Sequence, residues 1–237
     1  NSLYAGNWPA WRGEDATGST DSGNYPTELN LKKNLLWKAS LPDKGCSTPI
    51  VWQDSIFLTC PINGEDGVLS FSLNGGKNWQ TKMGPQRKGK HLNSSGSNPS
   101  LITDGRNLYA LFKSGNLACL NRGGEILWQK DLSSYGKDTL YWDFGTSPIL
   151  SSKHVIVALM RKGNSWLLAF DPSSGEVAWK KERNYPTPPE CDHSYATPTL
   201  INHKGKEAIL VWGAERLSAH SAEDGEMHWV SKGFNPK

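Results

Sequence analysis

Hydrophobic residues in this chain gather in short runs separated by Gly, Pro, Ser, Asn and Asp, and the runs have strand length. The clearest series begins at Ser147-Pro148-Ile149-Leu150, which predicts a short first strand, and residues 151–153 turn the chain. Val155-Ile156-Val157-Ala158-Leu159 is a β-branched run that predicts a second strand. Residues 161–164 turn again, and Trp166-Leu167-Leu168-Ala169-Phe170 predicts a third. Asp171-Pro172-Ser173-Ser174-Gly175 has turn formers where turn chemistry wants them, and Glu176-Val177-Ala178-Trp179-Lys180 predicts a fourth. No long stretch places apolar residues at i, i+3, i+4 and i+7, so helices are not expected.

The same order of runs recurs. Pro49, Pro99, Pro148 and Pro198 open the units, and Trp79, Trp128, Trp179 and Trp229 close them, each marker at steps of 49 to 51 residues. Two residue types sharing one period predict an array of one supersecondary unit. The units span about 46–82, 97–131, 145–182 and 196–232, after an extension at 1–30. The first looks least regular, because its Gly76-Lys77 stands one residue closer to its Trp than Gly-Glu does elsewhere. A lone four-stranded sheet cannot bury both faces, whereas radial stacking of such sheets can. The expected fold is therefore all-β: a β-propeller of four-stranded antiparallel blades. The repeated Trp is read as packing between blades, with its N–H donating there, a Trp-docking repeat.

Composition changes this picture little. The 237 residues include 24 Gly, 14 Pro and 11 Trp, and 26 basic against 23 acidic residues leave a net charge of +3 spread along the chain. That is not the basic footprint of a nucleic-acid binder, and Arg87, Lys88, Lys90 and His91 read as a solvated loop. No apolar run is long enough to span a membrane. The chain begins at Asn1 without a signal-peptide pattern, as after removal of a leader or in a cut piece. The four Cys form no CxxC pair. Cys46 and Cys60 would face each other across a hairpin turning at residues 52–54, which leaves a disulfide and buried free thiols as alternatives.

The run Ala169-Phe170-Asp171-Pro172-Ser173-Ser174-Gly175-Glu176-Val177-Ala178-Trp179 resembles the A-x-D-x-x-T-G-x-x-x-W repeat of the quinoprotein-like β-propellers, with Ser174 for Thr. Ala118 through Trp128 and Ala219 through Trp229 match more loosely, and Trp8-Pro9-Ala10-Trp11-Arg12-Gly13 resembles the start of secreted bacterial members. That family includes pyrroloquinoline quinone (PQQ) dehydrogenases and the propeller lipoprotein of the outer-membrane β-barrel assembly machine. The resemblance implies a bacterial periplasmic, outer-membrane-associated or secreted protein and, commonly, seven or eight blades. Residues 31–41, around Trp37, look like an outer strand lacking its own blade. The chain is therefore read as the N-terminal half of a longer propeller, with remaining blades missing; a compact four-bladed ring with an extra strand is the alternative.

Blade connectivity places the interblade loops at 81–97, 132–145 and 182–195 on one face, where long loops carry function. The candidate binding residues there are Arg87, His91, Tyr141, Trp142, Asp143, Glu190, Asp192 and His193. Residues 190–193 resemble a metal cluster only by composition, since adjacent side chains cannot converge on one ion. Residues 63–67 read as a plain acidic loop, and Asn93-Ser94-Ser95 is a glycosylation sequon that matters only in a eukaryotic secretory setting. No nucleophile–base grouping emerges. The leading reading is a non-enzymatic scaffold for a protein, peptide or carbohydrate. The alternatives are a PQQ dehydrogenase and a sensor domain of a larger signalling protein. The family's dehydrogenases use a Trp floor, a vicinal Cys pair and calcium; no Cys pair is adjacent here and no calcium or quinone ligands can be mapped.

Overall fold

The computed structural model describes residues 6–20, 23, 25–28, 30–188 and 191–234. It contains four antiparallel four-stranded sheets. The first has β1 (Ile50–Trp52), β2 (Ser55–Thr59), β3 (Glu65–Ser72) and β4 (Lys77–Pro85). The second has β5 (Ile102–Thr103), β6 (Asn107–Leu111), β7 (Asn116–Asn121) and β8 (Ile126–Asp131). The third has β9 (Ile149–Leu150), β10 (Val155–Leu159), β11 (Trp166–Phe170) and β12 (Val177–Glu182). The fourth has β13 (Thr199–His203), β14 (Lys206–Gly213), β15 (Arg216–Ser221) and β16 (Met227–Lys232). Each sheet runs in chain order from inner to outer strand. Among the described residues the one helical element is a short 3-10 turn, Leu132–Tyr135.

Continuous apolar runs are explained by burial on both faces. In β10, Val155, Val157 and Leu159 join Tyr109, Leu111 and Leu117 of the second sheet, while Ile156, Ala158 and Met160 beyond it join Ile209 and Val211 of the fourth. Ile50, Phe57 and Val68 likewise meet Leu108, Ala110 and Phe112. The far face of the first sheet, with Leu58, Cys60, Ile62, Leu69 and Phe71, packs Ala39. The equivalent far face of the fourth sheet leaves Trp212 half exposed.

Each Trp is set by one repeated device. Trp79, Trp128, Trp179 and Trp229 lie opposite small residues, Ser70, Cys119, Ala169 and Ala219, and a β-bulge follows each pairing. The bulge adds one residue beside the Trp and bends the outer strand there. Indole N–H groups then reach into the next sheet, Trp79 to the Arg122 carbonyl (2.9 Å), Trp128 to Pro172 (2.9 Å) and Trp179 to Ala222 (3.3 Å). The rings lie on Gly124, Gly175 and Gly225, each at positive φ, where a Cβ would come within 2.6 Å of the indole. Glycine is needed there twice over, for the left-handed backbone and for the close approach.

Several expectations are corrected. Gly75, not Gly76, is the equivalent glycine of the first unit: it stands four residues before its Trp, as in the other three, so that unit is regular. Residues 31–41 form no strand, yet Trp37 lies on Gly75 and donates to the Leu73 carbonyl (2.7 Å). Residues 63–67 are not a loop, because a tight turn with Asn63 and Gly64 at positive φ lets β3 start at Glu65. Residues 81–85 belong to β4. Cys46 and Cys60 are not bonded: Cys46 is exposed and its thiol meets the Asn93 carbonyl, whereas Cys60 is buried against the Asp43 carbonyl. Within residues 1–30, Trp8 exchanges backbone hydrogen bonds with Val51.

The prolines are weaker markers than they look. A hydroxyl relay ties the inner strands: Ser100 Oγ accepts from Thr48 N, Ser147 Oγ from Ser100 N, and Thr197 Oγ1 from Ser147 N. Three of these hydroxyl residues precede the repeat proline, but Ser100 follows Pro99, so the second proline is displaced from its structural place.

Candidate binding face

Antiparallel order alternates the turns between two sides of the stack. First-to-second and third-to-fourth strand turns lie on one side; second-to-third strand turns and the interblade loops lie on the other. The three loops (86–101, 132–148 and 183–198) are fastened to one another by polar groups. Lys113, in the β6–β7 turn, forms a buried ion pair with Asp143 of the second loop and donates to the Lys88 carbonyl of the first (2.7 Å). The same carboxylate accepts from Lys90 N (2.6 Å) and from the Ser94 hydroxyl. Burial alone would raise the Asp143 pKa, but hydrogen bonds from Lys113, Ser94 and Lys90 outweigh it and hold the group below the usual carboxylate range.

The second and third loops meet through aromatic and polar contacts. Tyr141 stands edge-on to the His193 ring at 5.7 Å, Trp142 N donates to the Tyr195 hydroxyl (3.2 Å), and Thr139 Oγ1 lies 3.4 Å from His193 Nε2. His193 is buried; its Nε2 is 3.7 Å from the half-buried Asp192 carboxylate. Arg161 is buried beside these loops and donates to the Gly136 carbonyl, and burial lowers its pKa despite the field of Asp138. Arg183, fully buried, donates to the carbonyls of Gly213, Val211 and Arg216 and to the Ser218 hydroxyl, stapling the third interblade loop to the fourth sheet. Burial pushes this guanidinium down to about 10.

The candidate residues therefore divide. Tyr141 and Trp142 are exposed, His91 packs its ring against Trp142 at 6.0 Å, and Arg87 is exposed near Asp131 and Arg161. Asp143 and His193 are turned inward, Asp192 is partly covered, and Glu190 lies outside the described residues. Sequence reasoning missed Lys113, Arg161 and Arg183. Nothing in the local sequence marks any of them, since Arg161 stands beside Lys162 and Arg183 ends the charged run Lys180-Lys181-Glu182, and only the fold reveals what each reaches. It also missed Trp212 and Phe234, which with Trp142, Cys191, His193, Ser194, Tyr195 and Glu215 line a cleft of about 390 Å³.

Several groups that could serve the quinone site implied by the resemblance are already committed to the fold. Cys60 and Cys119 are sealed in blade cores, Asp143 is engaged by three donors, and among the described residues no three His, Cys, Asp or Glu side chains gather to hold a metal. No helix among the described residues is long and apolar enough to cross a membrane.

Stacked blades with bulge-set tryptophans define a propeller-repeat protein of the PQQ-like type. A family model described as outer membrane protein assembly factor BamB matches residues 27–195 and 124–233, and the chain belongs to this family. No curated protein matches the chain in sequence. Among solved structures, the quinohemoprotein alcohol dehydrogenase from Comamonas testosteroni is 12% identical with a TM-score of 0.67, covering 95% of this chain and 41% of that one. A europium-containing methanol dehydrogenase is also 12% identical, with a TM-score of 0.71, over 96% and 49%. The C-terminal WD40 domain of Sif2 is 10% identical with a TM-score of 0.51, over 81% and 47%. At such identities the likeness is one of fold. The chain spans less than half the length of each of these structures.

Proposed function

We propose that this chain is a non-catalytic binding scaffold of the bacterial cell envelope that presents its interblade-loop face to a ligand. One observation supports this best. Lys113, Asp143, Lys90 and Asp138 hold the loops to one another, while Tyr141, Trp142 and Tyr195 stay exposed. Exposed aromatic surface on a fixed polar frame suits recognition and offers no activated nucleophile. Membership in the BamB-described family favours an envelope location and a role beside other proteins. The half-buried Trp229 and the exposed Trp212 on the last sheet favour a further blade packing there, as the next blade does on the first three sheets. The test is dye-linked electron transfer after loading with calcium and PQQ, across alcohols and aldose sugars. No turnover is expected; calcium- and PQQ-dependent turnover would overturn the reading.

A further inference from the structure

The inner edges of the first two sheets, beside their strand turns, carry a short piece of the N-terminal extension. Trp8 N donates to the Val51 carbonyl (2.7 Å) and Val51 N to the Trp8 carbonyl (2.9 Å), on the side of β1 away from β2. Gln53 N donates to the Asn7 side-chain carbonyl (2.8 Å), and Thr103 N of the second sheet donates to the Pro9 carbonyl (3.0 Å). Residues 7–9 thus lie along two sheets as one short extended run. The sequence sets this conformation: a residue before proline is biased to the extended region, and proline brings no N–H that an edge position would leave unpaired. Gly13, at a φ of +79°, ends the run in a tight turn closed by its N–H on the Ala10 carbonyl (3.0 Å). The Trp8 ring folds back over Gly13, where a Cβ would lie 3.1 Å from it.

This attachment differs from the docking of one blade on the next. The Trp8 ring packs on its own turn, Ala10 packs against a blade core, and Asn7, Trp11 and Arg12 are exposed. A segment held mainly by edge hydrogen bonds, with little buried apolar contact, belongs to the low-stability end of a fold. When it leaves, it uncovers the N–H groups of Val51, Gln53 and Thr103 and the Val51 carbonyl. Those groups form a strand edge that an extended peptide can pair with. We propose that residues 7–13 are a releasable clasp: they fill in cis an acceptor edge on the first two sheets that takes an extended peptide bearing an aromatic residue followed by proline. The edge lies on the side of the strand turns, away from the interblade loops, so the clasp stands apart from the loop-face reading.

The test is residue-resolved hydrogen exchange of the purified protein, of Trp8→Ala, and of Trp8→Ala with a large excess of a synthetic peptide spanning residues 6–13. In the parent, the Val51, Gln53 and Thr103 amides are expected to exchange together, at least about tenfold faster than those of Leu167 and Leu168 in β11, a strand paired on both sides. Trp8→Ala should speed the three by at least about another tenfold and leave Leu167 and Leu168 unchanged. The peptide should slow them again, and a scrambled peptide should not. Exchange of the three at the rate of Leu167 and Leu168 in the parent would overturn the proposal, because the segment would then open only with the whole fold. So would rates that Trp8→Ala leaves unmoved, or a peptide that restores no protection. If Trp8→Ala does not fold, Asn7→Ala at an exposed residue takes its place, with faster exchange expected at Gln53 and the same slowing by the peptide. None of these outcomes touches the scaffold reading, which fails instead by PQQ-dependent turnover.

Discussion

Two glycines separated by one position in the β3–β4 turn do different work. Gly75 has a left-handed φ of +87° and lies under Trp37, whereas Gly76 has an ordinary backbone and open space apart from the movable Ser72 hydroxyl. The same distinction applies to Gly175 under Trp128. Gly175→Ala is expected to cost about 2–4 kcal/mol, from strained backbone and overpacking together. Gly76→Ala should cost less than about 1 kcal/mol. Urea melts compare them. Trp179→Ala, at a ring 9% exposed, should cost about 3–5 kcal/mol; a small loss would mean that the ring does not carry the contact between the third and fourth sheets. Asp66 is a different kind of residue. Burial raises its carboxyl to about 6 against hydrogen bonds from Ser114 and Asn116, and its Oδ1 has no partner among the described residues. A raised acid stabilises fully below its unfolded value of 3.8, and the stability is lost as pH rises through about 6. Asp66→Asn should therefore exceed the parent in stability at pH 8 by up to about 3 kcal/mol, with the gain vanishing below pH 4. Paired melts across pH read this out; a pH-independent difference would contradict it.

At the scale of elements, the blades were legible in the sequence because two-faced burial writes itself as continuous apolar runs. Val155 to Leu159 is the clearest case, alternating between two neighbouring sheets. Turn chemistry was equally legible where it repeats: Asp171 accepts from the backbones of Ser173 and Ser174, and those bonds with the two hydroxyls hold its carboxyl down to about 2. The loops were not legible. Lys113 sits in an ordinary turn, and nothing local signals that it reaches Asp143 in the next interblade loop. Trp212 lies in a strand that the pattern did locate, but its exposure follows from what the fourth sheet leaves uncovered. Residues 31–41 misled because the spacing around Trp37 mimics an outer strand, while the chain there has no inner neighbour to pair with. The Lys113–Asp143 pair predicts that Lys113→Met costs about 3–5 kcal/mol, since it strands a buried carboxylate. Lys113→Met with Asp143→Leu should cost less than Lys113→Met alone, and denaturant melts of the set decide it. Because the Asp143 pKa is depressed, the stability it confers is present above the ordinary carboxylate range and disappears as pH falls through the folded value.

At the scale of the whole molecule, the same stacking rule that fixes four blades leaves two sides with different duties. One side carries only strand turns. The other adds the long interblade loops, which are tied together through Lys113 and Asp143 and show Tyr141 and Trp142 to solvent. The fold is shared with a quinohemoprotein alcohol dehydrogenase and a europium-containing methanol dehydrogenase, while here Cys60 and Cys119 are buried and Asp143 is committed to the loop frame. The most direct measurement is a thermal melt of the purified protein with calcium alone and then with calcium and PQQ. A scaffold whose face is built for another ligand gives superimposable curves. A PQQ-specific rise, worth about 2.7 kcal/mol at a hundredfold excess over the dissociation constant, would contradict the account and place the chain among the quinone enzymes.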